Sequence, residues 1–513
     1  MNATPEDVQK KSREAKARRK DTLDKDLEKI THLEYASQNV SRGILVPSLV
    51  FLLLTVFALL AVVSLLGHTA LIIPIFACLV AAYMAMNIGA NDVANNIGAA
   101  VGARAFSLGL GLTIAAVCEV AGALIAGGRV VDTIANGILR PAAFTHPDYL
   151  VWSMMAALLA AAIWINIATW MSAPISTTHS IVGSVMGAGL AAAGFSAVNW
   201  TLLVGITVSW LMSPLLGAVI AIAVLAFIKT TIIYTPDKIA AARRWVPILI
   251  GLMFGAFTVY LALQLTGEPA RAPFAALLAT GCVVGLVTWG LSVPLVRRQS
   301  EGLENRNQSL RHLFRVPLIF SAALLSFAHG ANDVANAVGP LAAIVNLTHG
   351  QASGGSSEVP VWELLIGGLG ISLGLLLFGP KLVHLVGKEI TKLNPLRAYC
   401  VALSAAVTVI LASAIGMPVS STHVAVGSIF GVGLFREWYI RNSRRRQAYL
   451  RMKAGGELPP PKDETEANLD EARRRYLVRR SHLLTIVAAW TITVPASAAL
   501  AAALAFIMFR LFI

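Results

Sequence analysis

Two short polar motifs, each present twice, carry the chemistry of an otherwise apolar chain. Gly89-Ala90-Asn91-Asp92-Val93-Ala94-Asn95 returns as Gly330-Ala331-Asn332-Asp333-Val334-Ala335-Asn336, 241 positions later (330 − 89). Asp and Asn offer hard oxygen donors, which suit Na⁺ or a proton relay and not a soft transition metal. Asn91, Asp92, Asn95, Asn332, Asp333 and Asn336 are therefore candidate cation ligands. Glu119 joins them: it lies in mid-span with no basic neighbour at helical spacing, so it must be neutral, paired across helices or bound to a coupling ion. The second pair is Pro174-Ile175-Ser176-Thr177-Thr178-His179 and Pro418-Val419-Ser420-Ser421-Thr422-His423, 244 positions apart (418 − 174). Here Ser176, Thr177, Thr178, Ser420, Ser421 and Thr422 each stand where an apolar run begins. Ser and Thr are favoured helix caps, and a helix start presents free N–H groups and a positive dipole end. Two such starts that converge would hold a tetrahedral oxyanion with no arginine. His179 and His423, next to the caps, read as structural.

These motifs need elements that bring them together at depth. The chain has 513 residues, 56% hydrophobic and 13% charged, with a mean hydropathy of +0.70. Soluble domains carry roughly 25% charged residues, and apolar runs of 18 or more recur here from Ile44 onward, as in membrane-crossing helices. Spans are expected at 44–66, 69–88, 107–127, 149–171, 177–195, 200–228, 246–264, 272–296, 315–330, 362–380, 397–416, 420–435 and 482–512. With a cytoplasmic N-terminus, the loops at 229–244, 297–314, 381–396 and 436–481 all fall inside. Those loops hold the Lys and Arg residues, as the positive-inside rule requires.

Seven expected spans separate the start of the first copy from the start of the second, and an odd number makes the copies antiparallel. Inverted repeats around a midplane site are a plan of secondary transporters. The expected fold is thus an all-α polytopic membrane protein with discontinuous or re-entrant helices. Simple alternation would leave the two copies of each motif on opposite faces, so the helices must break at the motifs, with the glycines and Pro174 and Pro418 supplying the breaks. Residues 1–42 read as a charged cytoplasmic tail and 43–68 as an extra N-terminal helix. The first repeat is 69–228, a two-helix connector is 229–314, and the second repeat is 315–512, interrupted by a basic loop at 436–481.

The net charge of +14 lies in the tail and the loops. Aromatics are not interleaved with it, which argues against a nucleic-acid partner. Cys78, Cys118, Cys282 and Cys400 are isolated and show no metal or disulfide spacing. A nucleophile–base constellation and a soluble catalytic domain are missing from the sequence, so an enzyme is not the expectation.

The doubled Asn-Asp motif, together with the two Pro-x-Ser-(Ser/Thr)-Thr-His motifs, resembles the inorganic phosphate transporter (PiT) family of phosphate permeases. Glu119-Val120-Ala121-Gly122 and Val386-Gly387-Lys388-Glu389 extend the likeness. The resemblance implies inverted repeats and cation-coupled phosphate uptake across a plasma membrane, a bacterial inner membrane by preference. It implies Na⁺ in preference to H⁺, no further cofactor, contact with membrane lipid, and an oligomeric state left open. It places Asn91, Asp92, Asn332 and Asp333 at ion and substrate positions and the six hydroxyl residues at phosphate. Glu119 matches a family carboxylate, whereas Ala402 stands where family members carry a second one. Sulfate as the anion, or a passive anion channel, are the alternatives.

Overall fold

The computed structural model describes residues 69–170, 175–266, 273–349, 359–389, 394–453 and 480–513. The tail at 1–42, the helix expected at 44–66, Pro174 and the middle of the 436–481 loop lie outside the described residues. The elements used below are α1 (Thr69–Gly102), α2 (Leu108–Ala126), α3 (Pro147–Trp170), α4 (Thr177–Ala193) and α5 (Trp200–Ile228). There follow α6 (Lys238–Thr266), α7 (Phe274–Ser300), α8 (Asn307–Leu313), α9 (Arg315–Asp333) and α10 (Ala335–Thr348). The last four are α11 (Val361–Glu389), α12 (Pro395–Ala414), α13 (Ser421–Asn442) and α14 (Arg480–Phe512).

Eleven helices among the described residues are long and apolar enough to cross a bilayer. Of the thirteen expected spans, 44–66 is not described and 420–435 is not among the eleven. The latter falls in α13, which opens on Ser421-Thr422-His423 and ends among Arg436, Glu437 and Arg441. Seven long helices, α1 to α7, separate the two copies. The α3/α4 pair leaves that number odd whether it crosses twice or turns back, so the copies run in opposite directions.

The pairing of helices repeats across the copies in exchanged form. α11 packs on α1 and α2 on α9, while α13 packs on α5 and α14 on α4. Four glycines make the first exchange close. An added Cβ at Gly89 would sit 1.9 Å from the Ile371 carbonyl oxygen, and one at Gly374 would sit 1.9 Å from that of Met86. The mirror contacts are Gly330 on the Glu119 carbonyl at 2.1 Å and Gly122 on that of Phe327 at 2.0 Å. Only residues without a side chain let backbones approach this far. The geometry also sets the correspondence: Glu119 in one copy faces the role of Ile371 in the other.

Each copy contains a helical hairpin. The base of α3/α4 is closed by an antiparallel bridge between Leu139 and Val198, with Arg140 N–H donating to Ala197 at 2.8 Å and Asn199 N–H to Ile138 at 2.9 Å. Its tip is Ser176. The tip of α12/α13 is Ser420, held against the stretch after α2 by Arg129 Nη1 donating to Ala414 O at 2.7 Å and Thr133 Oγ1 to Gly416 O at 2.7 Å.

One expectation needs correcting. The first Asn-Asp motif does not end a helix: α1 continues from Thr69 through Asn91 and Asp92 to Gly102 without interruption. Its polar side chains find partners on other helices, so the backbone has no reason to open there. In the second copy the helix is interrupted only at Val334, directly after Asp333.

Candidate functional site

Both tips and both Asn-Asp motifs meet at one buried point. Asp92, Glu119, His329 and Asp333 are each 1% exposed or less. His329, on α9 one turn before Asp333, is the hub. Its Nε2 lies 3.3 Å from Asp333 Oδ2 and 3.6 Å from Asp92 Oδ2, and its Nδ1 lies 3.2 Å from Glu119 Oε1. One ligating atom from each of Asp92, His329 and Asp333 falls within 4.8 Å of the others. Buried charges are tolerated only when paired in this way.

The hydroxyls close the site from both tips. Thr422 Oγ1 donates to Asp92 Oδ1 at 2.9 Å, and Thr177 Oγ1 reaches Asp333 Oδ2 at 3.3 Å and Asp92 Oδ2 at 3.5 Å. Asn95 Nδ2 donates to Thr422 Oγ1 at 2.8 Å and to Asp92 Oδ1 at 3.2 Å. Asn336 Nδ2 donates to Thr178 Oγ1 at 3.3 Å and Thr177 Oγ1 at 3.4 Å. Asn91 Nδ2 lies 3.2 Å from Asp92 Oδ1. Asn96 Nδ2 donates to Glu119 Oε1 at 2.8 Å, which ties α1 to α2.

Several of these residues build the tips. Ser176 Oγ accepts the His179 N–H at 3.2 Å and Ser420 Oγ that of His423 at 3.4 Å, so both serines cap their helices. Thr178 Oγ1 donates to the Val419 carbonyl at 3.0 Å, joining one tip to the other. Asn332, expected among the ion ligands, is engaged elsewhere. Its Nδ2 donates to Ser413 Oγ at 3.0 Å and Met417 O at 3.2 Å, and its Oδ1 accepts the Val419 N–H at 3.1 Å. Ser421 is buried beside Ser420. Behind the tips, the His179 ring packs on Trp210 at 3.7 Å and on His423 at 4.7 Å. Trp210 Nε1 in turn donates to Pro418 O at 3.0 Å.

Four buried oxygens around this point have no hydrogen-bond donor: Asp333 Oδ1, Glu119 Oε2, Asn96 Oδ1 and Asn336 Oδ1. A buried acceptor left unmet costs roughly 1–3 kcal/mol, and hard oxygens of this kind are what an alkali cation coordinates. Next to them, the N–H groups of Thr177, Thr178, Ser421 and Thr422 precede the first intrahelical bonds and face the site as anion donors, those of His179 and His423 being taken by the capping serines. The site can therefore hold cation and oxyanion side by side.

Reasoning from the sequence missed His329 and Asn96. Position 329 corresponds to Ile88 in the first copy (329 − 241). Both flank the literal seven-residue repeat, 329 just before its second copy and 96 just after its first, where no pattern marks them.

The chain matches the model of the family described as "Phosphate transporter family" over residues 88–501. It is 44% identical to a "Putative phosphate permease" of Helicobacter pylori strain J99 over 521 residues, covering 93% of this chain and 98% of that one. It is 39% identical to a relative of the same description from Pyrococcus abyssi over 354 residues, 69% of this chain and 86% of that one. Among solved structures, it is similar to "The sodium-dependent phosphate transporter", with a TM-score of 0.74 and 33% identity over 86% of this chain and 100% of that one.

Proposed function

The chain belongs to the phosphate transporter family, and from that premise we propose that it is a secondary symporter that imports inorganic phosphate with Na⁺. It works as an integral protein of the plasma membrane, with the N-terminal tail on the cytoplasmic side. The observation that carries the reading is the meeting of three carboxylates and one imidazole with two hydroxyl-bearing helix starts.

Charge explains why transport is coupled. Asp92, Asp333 and Glu119 bring three formal negative charges, and His329 offsets at most one. A phosphate that approached the bare site would be repelled, by about 4 kcal/mol per charge pair at 4 Å with an effective dielectric of 20. Cations on the donor-free oxygens of Asp333, Glu119, Asn96 and Asn336 remove that barrier. They have a second effect. Thr177 and Thr422 spend their hydroxyl donors on the two Asp residues. Once a cation satisfies the carboxylates, those hydroxyls and the adjacent N–H groups turn to the phosphate oxygens. Cation binding thus creates the anion site, and rocking of one repeat against the other would expose the loaded site to each side in turn.

The test is uptake of labelled phosphate into proteoliposomes with Na⁺ and pH gradients imposed separately. Accumulation against the phosphate gradient under a Na⁺ gradient alone is expected. Only downhill flux would make the protein a channel, accumulation under a pH gradient alone would assign the proton, and equal competition by sulfate would remove phosphate selectivity.

A further inference from the structure

Away from the buried site, a cavity of about 710 Å³ opens where three separate stretches of chain converge. Its volume lies within the roughly 300–1,000 Å³ range of small-ligand pockets. Arg104 comes from the end of α1, Arg311 and His312 from α8, Arg315 from the start of α9, and Arg397 from the first turn of α12, where Asn394 is the cap. No carboxylate lines it among the described residues. The charge bias of the loops makes this face cytoplasmic. That bias accounts for arginines on this side of the membrane. It does not account for four of them meeting around one cavity, where like charges repel.

Arg104 adds an independent sign. It is the only described non-glycine residue with positive φ, at 57°. It ends α1 in the left-handed conformation that helix ends normally give to glycine. A strained backbone retained with a long cationic side chain points to a use for that side chain.

We propose that this cavity binds an anion carrying more than one phosphoryl group, presented from the cytoplasm. Arginine is suited to bidentate phosphate recognition, and a single orthophosphate would span neither the volume nor the separate arginines. Such a ligand would bridge the ends of the helices that lead to Asp92 (α1), Asp333 (α9) and the Ser420 tip (α12), and would hold them together. The ligand is either a free polyanion or the headgroup of an anionic phospholipid, which present the same chemistry.

The probe is inorganic tripolyphosphate, titrated calorimetrically into the full-length protein in nanodiscs of phosphatidylcholine alone or with cardiolipin, an anionic phospholipid whose headgroup carries two phosphoryl groups. Binding is measured without transport, so its outcome is separate from that of the uptake experiment. Saturable binding that weakens at least ten-fold in Arg311→Gln/Arg315→Gln, with phosphate uptake retained within about two-fold, is the expected result. Arg104→Gln, a change at one exposed side chain, should weaken binding several-fold and guards against a folding defect in the double variant. Binding that is unaffected by cardiolipin identifies a free polyanion. Binding competed away by cardiolipin identifies the lipid headgroup, with the same arginines. No saturable binding in phosphatidylcholine discs, or equal binding in the wild type and both variants, would overturn the proposal.

Discussion

Replacing Gly330 with alanine tests the packing and the chemistry together. The new Cβ would lie 2.1 Å from the Glu119 carbonyl oxygen. Ordinary contact begins near 3.4 Å, so α9 and α2 must separate by about 1.3 Å (3.4 − 2.1), and the obstacle is backbone that cannot rotate aside. Overpacking of this kind costs about 1–3 kcal/mol, and a backbone clash belongs at the upper end. The displaced residue is also Glu119. Opening its 3.2 Å contact with His329 by the same amount breaks the pair. Gly89→Ala makes the mirror clash, 1.9 Å from the carbonyl of Ile371, so the residue it presses on is apolar. Both variants should lower the unfolding temperature in detergent, whereas only Gly330→Ala should also raise the Na⁺ concentration for half-maximal phosphate uptake, by about ten-fold for each 1.4 kcal/mol of lost coordination. Gly109→Ala is the control: nothing lies within 4 Å of its Cβ, so neither the unfolding temperature nor the Na⁺ dependence should fall. If Gly330→Ala unfolds like the wild type with unchanged Na⁺ dependence, the close α2–α9 crossing does not exist as described.

Three further outcomes follow from the same geometry. Asp92→Asn and Asp333→Asn should each abolish Na⁺-driven uptake while membrane levels, read by immunoblot, stay normal; sodium-dependent uptake at the wild-type rate would remove both from cation ligation. Thr422→Val keeps shape and deletes the hydroxyl that meets Asp92 at 2.9 Å, so the KM for phosphate should rise roughly ten- to hundred-fold, for a charged hydrogen bond worth roughly 1.5–3 kcal/mol, and an unchanged KM would place phosphate elsewhere. Asn332→Ala strands the Val419 N–H and frees Ser413 and Met417, which should destabilise the protein by about 1–3 kcal/mol in thermal unfolding; a loss of Na⁺ affinity with stability intact would instead make Asn332 a ligand.

Sequence alone revealed the inverted plan because it depended on two counts, a literal repeat and an odd number of apolar spans. It also located the carboxylates, since Asp and Glu in apolar surroundings stand out wherever the helices finally cross. It failed on questions decided by neighbours. Asn91, Asp92 and Asn95 look like the end of a span, yet α1 runs on because Thr422 and the motif's own side chains satisfy them. Asn332 looks equivalent to Asn91, yet it braces the α12/α13 tip. His329 was overlooked because a single histidine at the edge of a motif carries no pattern of its own.

The departures from symmetry say the most about how such a site works. The glycine crossings show the same close backbone approach built twice, Gly89 and Gly374 in one place and Gly330 and Gly122 in the other. At the same crossings, Glu119 and His329 in one copy correspond to Ile371 and Ile88 in the other, both fully buried. Two acidic pairs would have doubled the desolvation penalty of charges held at membrane depth. One pair beside an apolar mirror puts the buried Glu–His contact on the α2–α9 crossing alone and leaves Asp92 as the carboxylate that α1 contributes. The cation should therefore engage the two halves unequally. A carboxylate introduced by Ile371→Glu would face Ile88 in place of an imidazole, and it should impair folding without adding a second coupled ion.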